Sequence, residues 1–276
     1  MNKVAPITKP ALNVDDIFFT DAYEQPAPQN SAVLVTGAAK RLGRAIAADL
    51  AGAGWRVVIH YNGSKVAAGR LKNDIEAAGG RAEIVQADLS IPDEASKLIE
   101  RAENLCGPIG VLVNNASVFE WDDLPSATSE TFEQHMGVHV KSPLLLCQHF
   151  ADRLPEQAGG TIVNVIDSRV LSPSPRHLTY TLSKSGLWNL TQILAEEFAP
   201  RIRVNAIGPG PILPEAGRTE EHFRDRCSQL PLQRPASLSE VCETIRFLLS
   251  QKAITGQMIA LDGGEHLTGY RPRPSS

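Results

Sequence analysis

Residues 161–187 read TIVNVIDSRVLSPSPRHLTYTLSKSGL. Ile162, Val163, Val165 and Ile166 form an apolar, β-branched run, the composition of a buried strand. The run stops at Asp167, which places a carboxylate where the strand ends. Pro173 and Pro175 then forbid both sheet and helix, so a loop must follow. Tyr180 and Lys184 come next, four residues apart in a helical pattern, and that spacing puts them on one helix face about one turn apart. A strand end and a helix start can therefore bring Asp167, Tyr180 and Lys184 to one pocket. A phenol is a weak acid, with an ordinary pKa of about 10. A neighbouring ammonium lowers it, which makes Tyr180 beside Lys184 a proton donor for a reduction.

The rest of the chain repeats this strand, polar turn and helix pattern. Ala32-Val33-Leu34-Val35 reads as a buried strand, followed by Thr36-Gly37-Ala38-Ala39-Lys40-Arg41-Leu42-Gly43 and a helical pattern over 44–53. Glycines between strand and helix let backbone approach a pyrophosphate, and the helix N-terminus offers N–H groups and positive dipole. The spacing does not fit GxGxxG, and glycine in such a turn is often a turn and nothing more. Residues 54–61 read as a second strand. Near its end NAD-binding chains often place an acid for the ribose hydroxyls. This chain has His60, Tyr61, Asn62, Gly63 and Ser64 there. No carboxylate repels a 2′-phosphate, while Arg41 and Ser64 can donate to one, with Lys40 and Lys65 nearby. The cofactor expected is NADPH; the competing reading of these charges is a solvated basic surface.

Residues 66–78 are an amphipathic helix and 81–88 a third strand. Asp88 at its end either accepts from an adenine amino group or caps the next helix, with Leu89 beside it. Pro92–Cys106 is helical, and Val111-Leu112-Val113 is a strand ending in Asn114-Asn115-Ala116-Ser117. Polar residues at the carboxyl ends of several parallel strands mark the ligand crevice of α/β proteins. Residues 131–150 read as one helix, 201–207 as a strand leading into Gly208-Pro209-Gly210-Pro211, 237–250 as a helix capped by Ser237 or Ser239, and 257–261 as the last strand.

The 276 residues and 42% hydrophobic content suit one α/β domain over residues 31–268, since nothing mid-chain reads as a linker. Residues 1–30, rich in proline and acid, read as an extension that is mobile or docked on the surface. Residues 269–276 read as a tail, and 211–232 as a substrate lid. A net charge of −4 argues against nucleic-acid binding. Four scattered cysteines without CxxC read as reduced thiols and give no metal site. With no run of about 18 apolar residues and no signal pattern, a cytoplasmic protein that does not enter membranes is expected.

Thr36-Gly37-x5-Gly43, Asn114-Asn115-Ala116, Tyr180-x3-Lys184 and Pro209-Gly210 after Arg203-Val204-Asn205-Ala206 together resemble the short-chain dehydrogenase/reductase family, over about residues 31–264. The resemblance implies a single Rossmann-like domain, a doubly wound parallel sheet of about seven strands flanked by helices, and hydride transfer with a nicotinamide. It also implies a homotetramer or homodimer built on the helices at 131–150 and 186–198. Lys184 would hold the nicotinamide ribose and lower the Tyr180 pKa.

A finer resemblance is to pteridine reductases and bacterial dihydropteridine reductases. Asp167 stands where the broad family has Ser, Arg41 sits in the first turn, and the second strand ends His60-Tyr61-x2-Ser64. Phe119 follows Asn115-Ala116-Ser117. That likeness implies that Ser117 and Phe119 line a pterin site, Phe119 stacking the ring against the nicotinamide, with Arg41, Asp167 and Tyr180 also touching substrate. His139 stands where the family often has a relay Asn, and is either a water holder, a proton shuttle or a satisfied helix residue. The bland readings are a strand-ending cap for Asp167 and core packing for Phe119. An NADPH-dependent reductase of a 7,8-dihydropterin is thus the leading expectation. A carbonyl reductase of the same family and a non-catalytic NADPH-binding regulator are the alternatives.

Overall fold

The computed structural model describes residues 32–214 and 219–268. The expected extension at 1–30, the tail at 269–276 and part of the expected lid lie outside the described residues. Seven strands form one parallel sheet: β1 (Ala32–Val35), β2 (Arg56–Tyr61), β3 (Arg81–Gln86), β4 (Ile109–Asn114), β5 (Gly160–Val165), β6 (Ile202–Pro209) and β7 (Met258–Leu261). Their order is β3-β2-β1-β4-β5-β6-β7. The sequence reverses direction across the sheet between β1 and β4, and the loops leaving those two strands diverge to open a crevice.

Strand periodicity decides what each face buries. Val33, Val35, Val57, Ile59, Val111 and Val113 face the helices α1 (Arg41–Gly52), α2 (Lys65–Ala77) and α8 (Leu238–Ser250). Leu34, Val58, Leu112, Ile162 and Val204 face α3 (Pro92–Cys106), α5 (Ser142–Arg153) and α6 (Leu178–Glu197). A buried chain of amides crosses the sheet. Asn114 Nδ2 donates to Asn164 Oδ1 at 2.8 Å, and Asn164 Nδ2 to Thr191 Oγ1 at 2.8 Å, which ties β4, β5 and α6 together. At α8 it is Ser237 that caps: its hydroxyl accepts from Glu240 N, and Glu240 bonds back to Ser237 N.

Two elements depart from the sequence reading. The helix expected over 131–150 is instead α4 (Ser129–Met136), a π-helical stretch at Gly137–Lys141, and α5. Pro143 explains the break, because it has no N–H for the carbonyl of His139 and its ring crowds that carbonyl. The widened turn absorbs both defects and carries His139. The expected lid contains a helix of its own, α7 (Glu220–Ser228), begun by Thr219, whose hydroxyl accepts from His222 N. A short α9 (Glu265–Thr268) follows β7.

His60 holds the end of β1 to the end of β2. Its Nδ1 accepts from Gly37 N at 3.0 Å, and its Nε2 lies 3.0 Å from the Ala87 carbonyl. Accepting at Nδ1 fixes the proton on Nε2, which donates to Ala87. Burial lowers the His60 pKa to about 4, with Arg101 adding to the fall and the Ala87 bond and Asp88 opposing it. Protonation would aim a second N–H at that of Gly37. The folded pKa lies below the unfolded value of 6.5, so the unfolded chain takes the proton first and stability falls as pH drops from 6.5 towards 4. The full loss is about 3 kcal/mol from this one residue. Urea unfolding at pH 7.5, 6 and 5 should show a shallower pH slope in His60→Asn, which keeps an acceptor for Gly37. Equal slopes in the two proteins would refute this role.

Candidate active site

A cleft of about 770 Å³ runs from the turn after β1 to the start of α6. Gly37, Lys40, Arg41, Leu42 and Gly43 line one end. Gly37 has φ +63°, and a Cβ there would lie 2.9 Å from Ala116 Cα. A Cβ on Gly43 would lie within 2.5 Å of both the Gly37 carbonyl and Asn115 Nδ2. Backbone therefore approaches the cleft where side chains have no room. At the N-terminus of α1, Lys40 makes no side-chain cap bond, which leaves first-turn N–H groups to be satisfied from the cleft. An anion at that position fits both the geometry and the helix dipole, as a dinucleotide pyrophosphate requires.

The expected cofactor residues do not all reach the cleft. His60, Asp88, Leu89, Asn115, Ala116, Pro209 and Gly210 line it. Asn115 also spends its amide on the turn, with Nδ2 donating to the Thr36 carbonyl at 2.8 Å. Asp88 accepts from the Ser90 backbone and hydroxyl at 2.9 and 2.7 Å, a turn ahead of α3 rather than the expected cap on it, since Ile91 is the N-cap of α3 and that position makes no side-chain cap bond; Asp88 itself lines the cleft. Tyr61 lies elsewhere. It alternates with His60 along β2, so its ring falls on the opposite sheet face and packs with Val57, Ile59 and the α2 side chains. Ser64 stands outside the lining as well, at the N-cap of α2 without a side-chain cap bond. Arg41 lines the cleft at φ +51° and donates to the Pro214 carbonyl at 3.0 Å, bridging the turn to the segment after β6.

At the other end Asp167, Tyr180 and Lys184 come together as their spacing suggested. Tyr180 Oη donates to Asp167 Oδ2 at 3.0 Å, and Asp167 Oδ1 accepts from Arg169 N at 2.8 Å. Asp167 thus caps the short 3₁₀ turn Ser168–Leu171 and engages the phenol at once. Lys184 Nζ donates to the Val165 carbonyl at 2.9 Å and lies 5.8 Å from the Tyr180 ring centroid. The electrostatics differ from the sequence expectation. The Tyr180 pKa is raised well above 10, by burial first and by Asp167 next, and Arg169 is the charge that opposes this. Burial lowers Lys184 to about 8. Burial first, and the nearby Asp167 carboxylate second, reverse the expected sign.

Ser117 and Phe119 form the wall beyond Tyr180. Phe119 is 41% exposed, stacks on His177 at 4.6 Å and meets Tyr180 edge-on at 4.7 Å. Sequence reasoning missed what supports this wall. His139 Nε2 accepts from Val118 N at 3.2 Å and lies 2.9 Å from Ser117 Oγ. Its proton is then on Nδ1, 2.7 Å from Ser183 Oγ, and Ser183 donates to the Tyr180 carbonyl at 2.7 Å. Burial keeps this imidazole neutral, far below its usual range. His139 is a satisfied residue that fastens the Ser117 loop to the Tyr180 helix. Asp122 does the same one turn earlier, accepting from the Thr179 backbone and hydroxyl, while His135 Nδ1 bonds Thr179 Oγ1 at 2.7 Å. Arg169, also missed, lines the cleft with its Cζ 5.4 Å from the Phe119 ring centroid. Its only sequence signal is its place two residues after Asp167.

Comparison with known proteins agrees with this architecture. Residues 37–266 match the family model described as enoyl-(acyl carrier protein) reductase. A short-chain type dehydrogenase/reductase of Picea abies is 31% identical, over 84% of this chain and 91% of its own length. A 3-oxoacyl-[acyl-carrier-protein] reductase of Staphylococcus epidermidis is 31% identical over 86% of this chain and all of its own. Among solved structures, FolM alternative dihydrofolate reductase 1 of Brucella canis, complexed with NADP, is 45% identical with a TM-score of 0.85, covering 89% of this chain and 98% of its own. The Brucella suis counterpart with NADP is likewise 45% identical, TM-score 0.85, covering 91% and 100%. The match over most of the chain, on the reversed parallel sheet and the Tyr180-x3-Lys184 pair, shows that this chain belongs to the short-chain dehydrogenase/reductase family.

Proposed function

We propose that this protein is an NADPH-dependent reductase of a pterin, converting a 7,8-dihydropterin to the tetrahydropterin, with oxidised pterins and dihydrofolate as further substrates. The observation that carries this reading is the Tyr180–Asp167 hydrogen bond in the cleft, beside an exposed Phe119. Two relatives at 45% identity, named as alternative dihydrofolate reductases and solved with NADP, support it. The cofactor is NADP(H). When bound, it supplies the hydride that goes to C6 of the pterin.

The chain's own residues supply the rest. Tyr180 carries the proton for N5 at its phenol oxygen, and burial together with Asp167 keeps that proton in place by raising the phenol pKa. When the proton leaves, Lys184 and Arg169 are the cations close enough to stabilise the phenolate. The second carboxylate lone pairs of Asp167 suit a 2-amino group or ring N–H, which a ketone lacks. Phe119 offers a stacking face worth about 0.5–1.5 kcal/mol beyond area burial. Lys40 and Arg41 are the cations at the turn where a 2′-phosphate would be read.

The assembly we propose is a homodimer or homotetramer. Leu144 on α5 and Leu182 and Ile193 on α6 are exposed apolar side chains at 44, 50 and 62%, on the helices the family resemblance assigns to contacts between copies. A cytoplasmic location fits four free, buried cysteines. No helix among the described residues is long and apolar enough to cross a membrane.

The second reading, a carbonyl reductase, is favoured by the acyl-carrier-protein reductases among the relatives. Oxidation of NADPH followed at its absorbance band separates the two. Purified protein should reduce 7,8-dihydropterins with NADPH in preference to NADH. Tyr180→Phe should lower kcat by about 10²- to 10⁴-fold, and Asp167→Ser should lower pterin turnover more than turnover of a simple ketone. Ketone reduction without pterin reduction would establish the second reading. Full pterin turnover in Tyr180→Phe would remove the phenol from the mechanism. Gly43→Ala should abolish NADPH binding, since its methyl would meet the Gly37 carbonyl; undiminished affinity would place the cofactor elsewhere.

A further inference from the structure

Among the described residues, Arg169 is the cation at the substrate end of the cleft whose side chain makes no hydrogen bond. Lys184 has the Val165 carbonyl, and Arg226, which also lines the cleft, pairs with Glu265 at 3.0 Å. Arg41 donates to Pro214. Arg169 has no ion pair with a carboxylate among the described residues, and its Nη1 is buried without a hydrogen-bond partner. Its guanidinium rests over the Phe119 ring, 5.4 Å from the centroid. Asp167, two residues away, gives its Oδ1 to the Arg169 backbone N–H and its Oδ2 to Tyr180. A buried guanidinium nitrogen without a partner costs about 1–3 kcal/mol or more, and buried charges are otherwise paired. The missing partner of such a group is an anion.

The cofactor does not provide it. The phosphate end of the cleft is the turn at Gly37 and Gly43, whereas Arg169 lies against Phe119 and near Tyr180. Phe119 already has His177 stacked at 4.6 Å and the guanidinium over its ring. A flat heterocycle that stacks on the face under Arg169 must push the guanidinium aside, to the rim of that ring, where a substituent leaves it.

We propose that Arg169 is a specificity-determining residue that binds an anionic group, a carboxylate or a phosphate, on the substituent of the substrate ring stacked at Phe119. This inference rests on the pterin reading and names the substrate class within it: dihydropterins with a charged side chain over those with a neutral one. Bidentate geometry suits Arg to either anion, and Lys would keep the charge but lose the fork.

The test uses the NADPH-driven reaction and two matched pairs of probes. One pair is 7,8-dihydrofolate and its dimethyl ester; the other is a 7,8-dihydropterin with a phosphate on its side chain and the same molecule without it. The wild-type protein should favour the charged member of at least one pair in kcat/KM, and the pair that shows it identifies carboxylate or phosphate as the anion. In R169M that ratio should fall by about tenfold or more, chiefly through KM, the size expected for one charge-assisted contact. R169K should fall between, and keeps the question open to measurement where R169M does not fold. A ratio near one in the wild type, or one unchanged in both variants, overturns the inference while leaving the pterin reading intact. If no probe is reduced, the pterin reading fails. Calorimetric titration of the NADP⁺-loaded protein with folate and its dimethyl ester then decides Arg169 separately, and equal discrimination by wild type and variants overturns it.

Discussion

The hydroxyl of Thr36 accepts from the backbone N–H groups of Asn115 and Ala116 at 2.9 Å each, and lies 3.3 Å from the Val113 carbonyl to which it donates. It stands where the strand order reverses, so the chain leaving β1 and the chain leaving β4 turn away from one another on either side of it. Without that clasp the mouth of the crevice would be two independent loops. With it, and with Asn115 and His60 holding the carbonyls and N–H of Thr36 and Gly37, the glycine turn is rigid before any ligand arrives. The first-turn N–H groups of α1 are left over, which makes this half of the cleft a preorganised anion site.

The other half is built from side chains, and there one substitution changes the chemistry of a familiar pair. Tyr180 and Lys184 sit one turn apart on α6, as many helices would place them. Asp167 just after β5 accepts the hydrogen bond of the phenol and, on top of burial, raises its pKa. Lys184 Nζ, held by the Val165 carbonyl, lies 5.8 Å from the Tyr180 ring centroid, while the Asp167 carboxylate touches the phenol oxygen at 3.0 Å. The phenol therefore keeps its proton, and the cations nearest it are Lys184 and Arg169, on opposite sequence flanks of Tyr180.

Much of this was legible in the sequence because it is local. The strands β1, β2, β4 and β5 announce themselves by apolar runs that stop at polar residues, and Asp167, Tyr180 and Lys184 follow from one strand, one loop and one helix. What escaped depends on partners far apart in the chain. His139 carries no mark that its two nitrogens meet Ser117 and Ser183, and Thr179 none that it meets Asp122 across 57 positions. Tyr61 falls outside the cleft lining for a subtler reason. A motif names neighbouring positions, but pleating sends alternate side chains to opposite faces, so His60 reaches the cleft and Tyr61 the core. The π-helical stretch was hidden too, since Pro143 marks a defect without saying whether the helix stops, bends or widens there.

These distant contacts give the substrate wall its rigidity. Asp122 caps the start of α6 through Thr179, and its carbonyl accepts from His177 N at 2.7 Å. His135 and His139 lie stacked with centroids 5.6 Å apart, both with pKa values lowered by burial. Neutral imidazoles can bond the Ser117–Asp122 loop to α6 without adding charge beside the phenol, as a lysine or an aspartate in the same place would. Phe119 and Tyr180 are thereby set on a single unit, ring edge to ring face at 4.7 Å. The two rings therefore keep one fixed relation to each other, and the charges around them are those of Asp167, Lys184 and Arg169.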